Sequence, residues 1–403
     1  MMFRLRILIV AILAILLVNI SFARTRTAAK SSSDSSVTES PRAQKRMVRL
    51  RHKRAVVRRN VRSRRHRRAR YVERFYTSSY ATDITEGDET AGEDPIVRQA
   101  AIDALGNMNG TVVAINPTDG RILAMVNQKL ALSGGAQPCS TIKVAVALAA
   151  LSEGVITRDA PVQLGRRSQM NLTEALAHSN NAYFEAVGRR LGFPKVSYYA
   201  HQFGLGELAG YHIEGEHLGV FPTRELPAER GGVGKMCSFG ESISMTPLQL
   251  GALVSAISNG GTLYYLQHPE SPEEVVSFQP KIKRQLEIAD LVPDISQGMM
   301  GAVQYGTARS LRLNFSEEQI LGKTGTCSKD GTRFGWFASY ANTQFGRIVT
   351  VIFLQGGRPT YGPKAAEISG RFYRNLYDHN FFAQPATAAS TGTEKRTTIG
   401  VQQ

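Results

Sequence analysis

A serine, Ser140, stands three residues before a lysine, Lys143, and from Val144 to Leu151 the sequence is then apolar and alanine-rich without a break. A run so uniformly apolar predicts a buried helix, with both polar residues held at its beginning. At helical spacing the lysine lies one turn on, over the face of the serine hydroxyl. Burial pushes an amine toward its neutral form, and the positive pole of a helix start acts the same way. A neutral amine beside a hydroxyl can take its proton, so Ser140 is a candidate nucleophile and Lys143 its candidate base. Alone, the pattern also describes a helix N-cap followed by a surface lysine. Partner motifs must decide.

Two follow in order. Ser179-Asn180-Asn181 lies in helical text from Leu172 to Leu191, and Lys323-Thr324-Gly325-Thr326 ends the strand-like run Gln319 to Gly322. Ser-x-x-Lys, a serine–asparagine triplet and Lys-Thr-Gly together form the signature of serine β-lactamases and penicillin-binding proteins. With order, spacing and element type agreeing, the chain resembles the penicillin-binding protein transpeptidase domain. The likeness extends to Ala177–Phe184, Gly240–Gly261 and Gly298–Ala308, and covers residues 95 to 380.

The resemblance implies an α/β (α+β) fold: an antiparallel sheet flanked by helices, plus an all-helical lobe, with the site between them. It implies that Ser140 is acylated, that Lys143 takes its proton, and that Ser179 relays a proton to the leaving amine. The Asn181 amide would hold the substrate peptide. Lys323 would supply positive charge, Thr324 and Thr326 hydroxyl donors, and Gly325 room for the substrate against the strand. The backbone N–H groups of Ser140 and Thr326 would form the oxyanion hole. Some related β-lactamases carry a disulfide at the motif-relative positions of Cys139 and Cys327, which implies one here and leaves Cys237 free.

The implied activity is D,D-transpeptidation or D,D-carboxypeptidation of D-Ala-D-Ala peptidoglycan stem peptides, with β-lactams as covalent inhibitors. Two alternatives stay open: a serine β-lactamase, and a non-catalytic β-lactam-binding sensor or scaffold. A class A β-lactamase needs a carboxylate to activate water. Glu214 and Glu216 are suitably spaced from Ser179, but their glycine-rich surroundings resemble a loop of penicillin-binding proteins, and Asn180 replaces the usual aspartate.

Charge is confined to one place. Residues 42 to 70 hold fifteen lysines or arginines and no acid, against a formal net charge of +16 for all 403 residues. Arg4 and Arg6 precede the apolar run Ile7–Val18, and Ser21-Phe22-Ala23 suits a signal peptidase. Residues 1–23 therefore read as a signal peptide or a membrane anchor, and the chain as exported to the extracytoplasmic side of the envelope. Export argues against nucleic acid as partner of the basic run and favours anionic lipid or acidic wall polymer. Residues 24–92 read as disordered linker, 93–382 as the folded domain and 383–403 as a disordered tail. Inside the domain, Pro95–Leu105 predicts a helix, and Thr111–Ile115 with Ile122–Val126 a hairpin about Asp119-Gly120. Trp336 reads as packing behind the site strand. The cysteines at 139, 237 and 327 and the eight histidines form no zinc spacing, and no phosphate-binding loop is present, so neither metal nor cofactor is expected.

Overall fold

The computed structural model describes residues 73–343 and 346–383. The expected leader, the basic run 42–70 and the tail beyond 383 lie outside the described residues.

The first described helix is α1 (Pro95–Leu105), whose first N–H groups are capped by the Asp94 carboxylate. A hairpin of β1 (Gly110–Ile115) and β2 (Ile122–Val126) follows, then the buried helix α2 (Ile142–Ser152). Helices α3 (Leu172–Ala177), α4 (Asn181–Leu191), α5 (Phe193–Gln202), α6 (Gly232–Phe239) and α7 (Pro247–Ser258) complete the helical lobe and the layer behind it. After α8 (Val292–Gln304) come β3 (Ile320–Lys329), β4 (Thr332–Thr343) and β5 (Gly346–Gly356), and α9 (Gly362–Asp378) closes the fold. The five strands form one antiparallel sheet in the order β2-β1-β5-β4-β3, which leaves β3 at an edge.

Strand alternation divides the core. Val113, Ile115, Trp336, Ala338, Val351 and Phe353 join the cluster containing α2, α4 and α7. Val112, Ala114, Phe337, Ile352 and Leu354 face the cluster containing α1 and α9. On β3 the same alternation sends Lys323, Gly325 and Cys327 toward α2, and Thr324 and Thr326 toward α9.

Two expectations are corrected. The linker does not run to residue 92: residues 73–92 are part of the fold. Tyr76 N–H donates to Gly331 O (2.9 Å), and the Ser79 hydroxyl, buried, accepts from Gly357 N–H (2.7 Å). Asp88 accepts from the N–H groups of Asn127 (3.0 Å) and Gln128 (2.8 Å) and pairs with Arg98. Such a segment, held by polar side chains on distant backbone, shows no apolar periodicity. Second, the helical text Leu172–Leu191 is two helices. The chain breaks at 178–180, where Ser179 takes φ 55° and Asn180 restarts the helix by accepting from Tyr183 N–H (2.9 Å).

Candidate active site

Ten consecutive residues of α2, Ile142 to Leu151, are buried. An all-apolar surface of this kind forces Lys143 inside with its neighbours, and its side chain is 0% exposed. Its Nζ lies 3.0 Å from Ser140 Oγ, 2.7 Å from Ser179 O, 3.1 Å from Ser179 Oγ and 2.6 Å from Asn181 Oδ1. A neutral amine has two hydrogens and one lone pair. The Ser179 carbonyl and Asn181 Oδ1 can only accept, so they take the two hydrogens. The lone pair is left for a serine hydroxyl. Burial, with the charge of Lys323 adding to it and Glu185 opposing it, pushes the Lys143 amine down to about 6.

Ser140 sits in a short 3-10 turn, Cys139–Thr141, that leads into α2. Cys139, just before it, has φ 53°. Left-handed backbone at a residue other than glycine costs about 1–3 kcal/mol and persists only where the surroundings impose it. Here they do: Thr141 Oγ1 donates to Pro138 O (2.7 Å), Trp336 Nε1 donates to Gln137 O (3.0 Å), and a disulfide joins Cys139 to Cys327 with the Cα atoms 5.5 Å apart. Cys237 is free and buried, and burial pushes its thiol up to about 12.

The opposite wall is β3. Lys323, 1% exposed, donates to Ser179 Oγ (2.9 Å) and to Thr324 O (3.0 Å), and burial pushes its amine down to about 7. Ser179 Oγ thus lies within hydrogen-bond reach of both lysines. Its left-handed backbone is what projects it between them.

The structure brings Ser140, Lys143, Ser179, Asn181 and Lys323 together. A Cβ on Gly325 would lie 2.8 Å from Pro138 O and 3.2 Å from the Thr141 methyl. The glycine therefore admits the nucleophile turn. Thr326 Oγ1 accepts from Gly362 N–H (2.7 Å) at the start of α9, and Thr324 Oγ1 lies 2.7 Å from Thr307 Oγ1. Each hydroxyl already has a protein partner. Glu216 spends its carboxylate on the N–H groups of Ala209 (2.8 Å) and Gly210 (2.9 Å). Among the described residues no group of three or more His, Cys, Asp or Glu side chains could hold a metal ion.

Sequence reasoning missed Thr307, Gly362 and the hydrogen bond made by Trp336. Thr307 lies within the Gly298–Ala308 likeness, and the tryptophan, the only one in the sequence, is the fifth residue of the strand that pairs with β3.

Comparison with known proteins agrees with this geometry. The family model described as penicillin binding protein transpeptidase domain matches residues 110–378. Stage V sporulation protein D of Bacillus subtilis is 30% identical over 260 residues, covering 54% of this chain and 39% of that protein. Peptidoglycan D,D-transpeptidase MrdA of Escherichia coli K12 is 23% identical over 367 residues, covering 77% of this chain and 55% of its own length. The chain thus spans about half or less of these curated relatives. Pseudomonas aeruginosa PBP2, solved with WCK 5153, superposes with a TM-score of 0.59 at 23% identity, covering 72% of this chain and 77% of the other. The D,D-transpeptidase domain of an Eggerthella lenta peptidoglycan glycosyltransferase gives 0.56 at 19%, covering 72% and 82%. At such identities the two structures speak for the fold. The match over residues 110–378, with two serines and two buried lysines at its centre, places the chain in the penicillin-binding protein transpeptidase family.

Proposed function

We propose that the chain is a serine D,D-transpeptidase acting on D-Ala-D-Ala peptidoglycan stem peptides, with D,D-carboxypeptidation as its hydrolytic counterpart when water replaces the amine. The observation that carries this reading is a serine hydroxyl 3.0 Å from a fully buried lysine whose two hydrogens go to the Ser179 carbonyl and Asn181 Oδ1. Ser140 Oγ attacks the carbonyl of the penultimate residue while its proton passes to Lys143 Nζ. The oxyanion that forms is held by the N–H groups of Ser140 and Thr326, a contribution of several kcal/mol in acyl transfer, about 3–4 per donor. On collapse the C–N bond breaks, and the departing D-alanine amine takes the proton through Ser179 Oγ, which Lys143 and Lys323 flank. The acyl-enzyme is then attacked by the amine of a second stem, whose proton returns by the same route.

Asn181 gives its Oδ1 to Lys143, so its amide N–H₂ is the end left for the substrate peptide. Lys323 supplies charge near the substrate carboxylate, and the Thr326 hydroxyl, which accepts from Gly362 N–H, retains its hydrogen for it. A β-lactam presents a strained amide to the same serine and acylates it. Of the two carboxylates spaced to activate water in a β-lactamase, Glu216 is occupied by the backbone N–H groups of Ala209 and Gly210. We place the domain on the extracytoplasmic side of the envelope, with the basic run 42–70 meeting anionic lipid or wall polymer. No helix among the described residues is long and apolar enough to cross a membrane.

Fluorescent penicillin labelling of wild type and Ser140→Ala, followed by peptide mass spectrometry, tests the reading. An adduct on Ser140 and release of D-alanine from a stem pentapeptide are expected. An adduct on any other residue sinks the assignment.

A further inference from the structure

The segment leaving α8 ties the second motif to the third. Gly306 N–H donates to Gly301 O (2.9 Å) and Ala308 N–H to Ala302 O (2.8 Å), which pins the segment to the end of the helix. On one side Thr307 N–H donates to Ala177 O (3.1 Å), and a Cβ on Gly306 would lie 2.1 Å from that same oxygen. On the other, the Thr307 hydroxyl meets that of Thr324 at 2.7 Å. Ala177 lies two residues before Ser179, and Thr324 directly follows Lys323 and accepts from its amine through the backbone carbonyl (3.0 Å). Thr324 is 4% exposed, and a Cβ on Gly362 would stand 2.9 Å from its own Cβ, so packing limits its movement from the far side. One residue thus spans two motifs whose reacting groups, Ser179 and Lys323, are 144 residues apart in the chain.

What the span sets is the 2.9 Å contact between Lys323 Nζ and Ser179 Oγ. A hydroxyl has one hydrogen and two lone pairs, and an ammonium can only donate. Lys323 therefore takes one lone pair of Ser179. Once Lys143 holds the Ser140 proton, its three hydrogens go to Ser179 O, Asn181 Oδ1 and Ser179 Oγ, which takes the second lone pair. With both lone pairs engaged, the Ser179 hydrogen is left for the departing nitrogen, and Lys143 replaces it as it goes. If Lys323 slips, one lone pair is freed and the hydroxyl can turn away from the substrate.

We propose that Thr307 is a positioning residue for protonation of the leaving group, holding Lys323 in line with Ser179 while touching no reacting atom itself. Nucleophilic attack does not depend on it, because the burial of α2 sets Ser140 against Lys143. The demand on Thr307 therefore varies with the atom that leaves. An amide nitrogen cannot depart as an anion, so the C–N bond breaks only as the nitrogen gains the proton from Ser179. In a thioester the C–S bond breaks with its electron pair passing to sulfur, a thiol of ordinary acidity near 8.5 leaves as the thiolate, and the proton taken from Ser140 passes from Lys143 to water. This inference rests on the acyl-transfer reading given above.

The test uses the full chain and two substrates that give the same acyl-enzyme: a stem peptide ending in D-Ala-D-Ala, and its analogue with a thioester in place of the final amide. The value of kcat/KM ends at acylation, so the amide-to-thioester ratio isolates the leaving-group step and does not depend on the fraction of active protein. In Thr307→Val, which keeps the side chain's shape and loses its hydroxyl, that ratio is expected to fall about tenfold, part of the about 10²–10⁴-fold that positioned proton transfer contributes. Thr307→Ser should restore it, and Ser179→Ala should lower it further. Thermal unfolding midpoints show that the variants fold. A loss shared equally by both substrates, no loss at all, or a serine variant no better than the valine one would each overturn the proposal. An unchanged ratio in Ser179→Ala would strike the proton route of the acyl-transfer reading, and this inference with it.

Discussion

The two walls of the site are built by different means. On the nucleophile side, Ser140 and Lys143 are three residues apart, and the burial of α2 is enough to bring hydroxyl and amine together. On the strand side, β3 is an edge strand, and distant contacts hold it in place. Gly325 packs under Pro138, Thr326 is held by Gly362, and Cys327 is tied to Cys139. Chemistry is thus concentrated in the wall that local geometry assembles, and alignment in the wall that tertiary contacts assemble. Damage to the first should remove reactivity, while damage to the second should misplace it and cost stability.

The largest separation is expected between the lysines. Lys143→Ala should slow penicillin acylation by about 10³-fold, within the range for loss of a general base, whereas Lys323→Ala should cost less. Equal losses in stopped-flow acylation would erase the distinction between the walls. The pH profile sharpens it. Lys143 works as the neutral amine, so acylation should fall as pH drops through about 6. Lys323 works as the cation, so its contribution should fade as pH rises through about 7. The two limbs belong to the coupled pair, and Lys323→Ala should remove the upper one.

Next in size is the disulfide. Opening it should lower stability by about 2–4 kcal/mol, the usual range for such a bond, measured by urea unfolding of Cys327→Ser against wild type. Denatured, unreduced protein should show one reactive thiol, Cys237. Three would mean the walls are not joined.

Gly325→Ala should cost about 1–3 kcal/mol through overpacking and slow acylation at the same time. Gly134→Ala, where the nearest atom to a new Cβ is 3.7 Å away, is the control expected to leave stability unchanged. The smallest effect is expected at Trp336→Phe, which keeps most of the stacking on Phe353 but gives up the bond to Gln137 O, worth about 1 kcal/mol.

The same division explains what could be read from the sequence. Asp94 before Pro95, the hairpin about Asp119-Gly120 and the Ser140–Lys143 spacing are local, and each element formed where its text placed it. The family likeness also foretold the Cys139–Cys327 bond. What escaped was non-local. Nothing in Leu172–Leu191 announces a break, because Ser179 is left-handed only where its carbonyl meets Lys143. The facing of Thr324 and Thr326 toward α9 depends on the sheet's register, and the role of Gly325 depends on a turn about 185 residues earlier in the chain.

The disulfide also carries a consequence for how the protein is made. Its cysteines are 188 residues apart, so at about 5–20 residues per second Cys139 is synthesised roughly ten to forty seconds before its partner. In that interval the first thiol it can meet is the wrong one, Cys237. The native fold withdraws Cys237 between α4 and α6, against Gly188, where a Cβ would lie 2.5 Å from its sulfur. A side chain at position 188 would force that thiol to shift. Such a change would leave every catalytic group untouched and still lower the yield of active enzyme, by diverting Cys139 into the wrong bond before β3 exists.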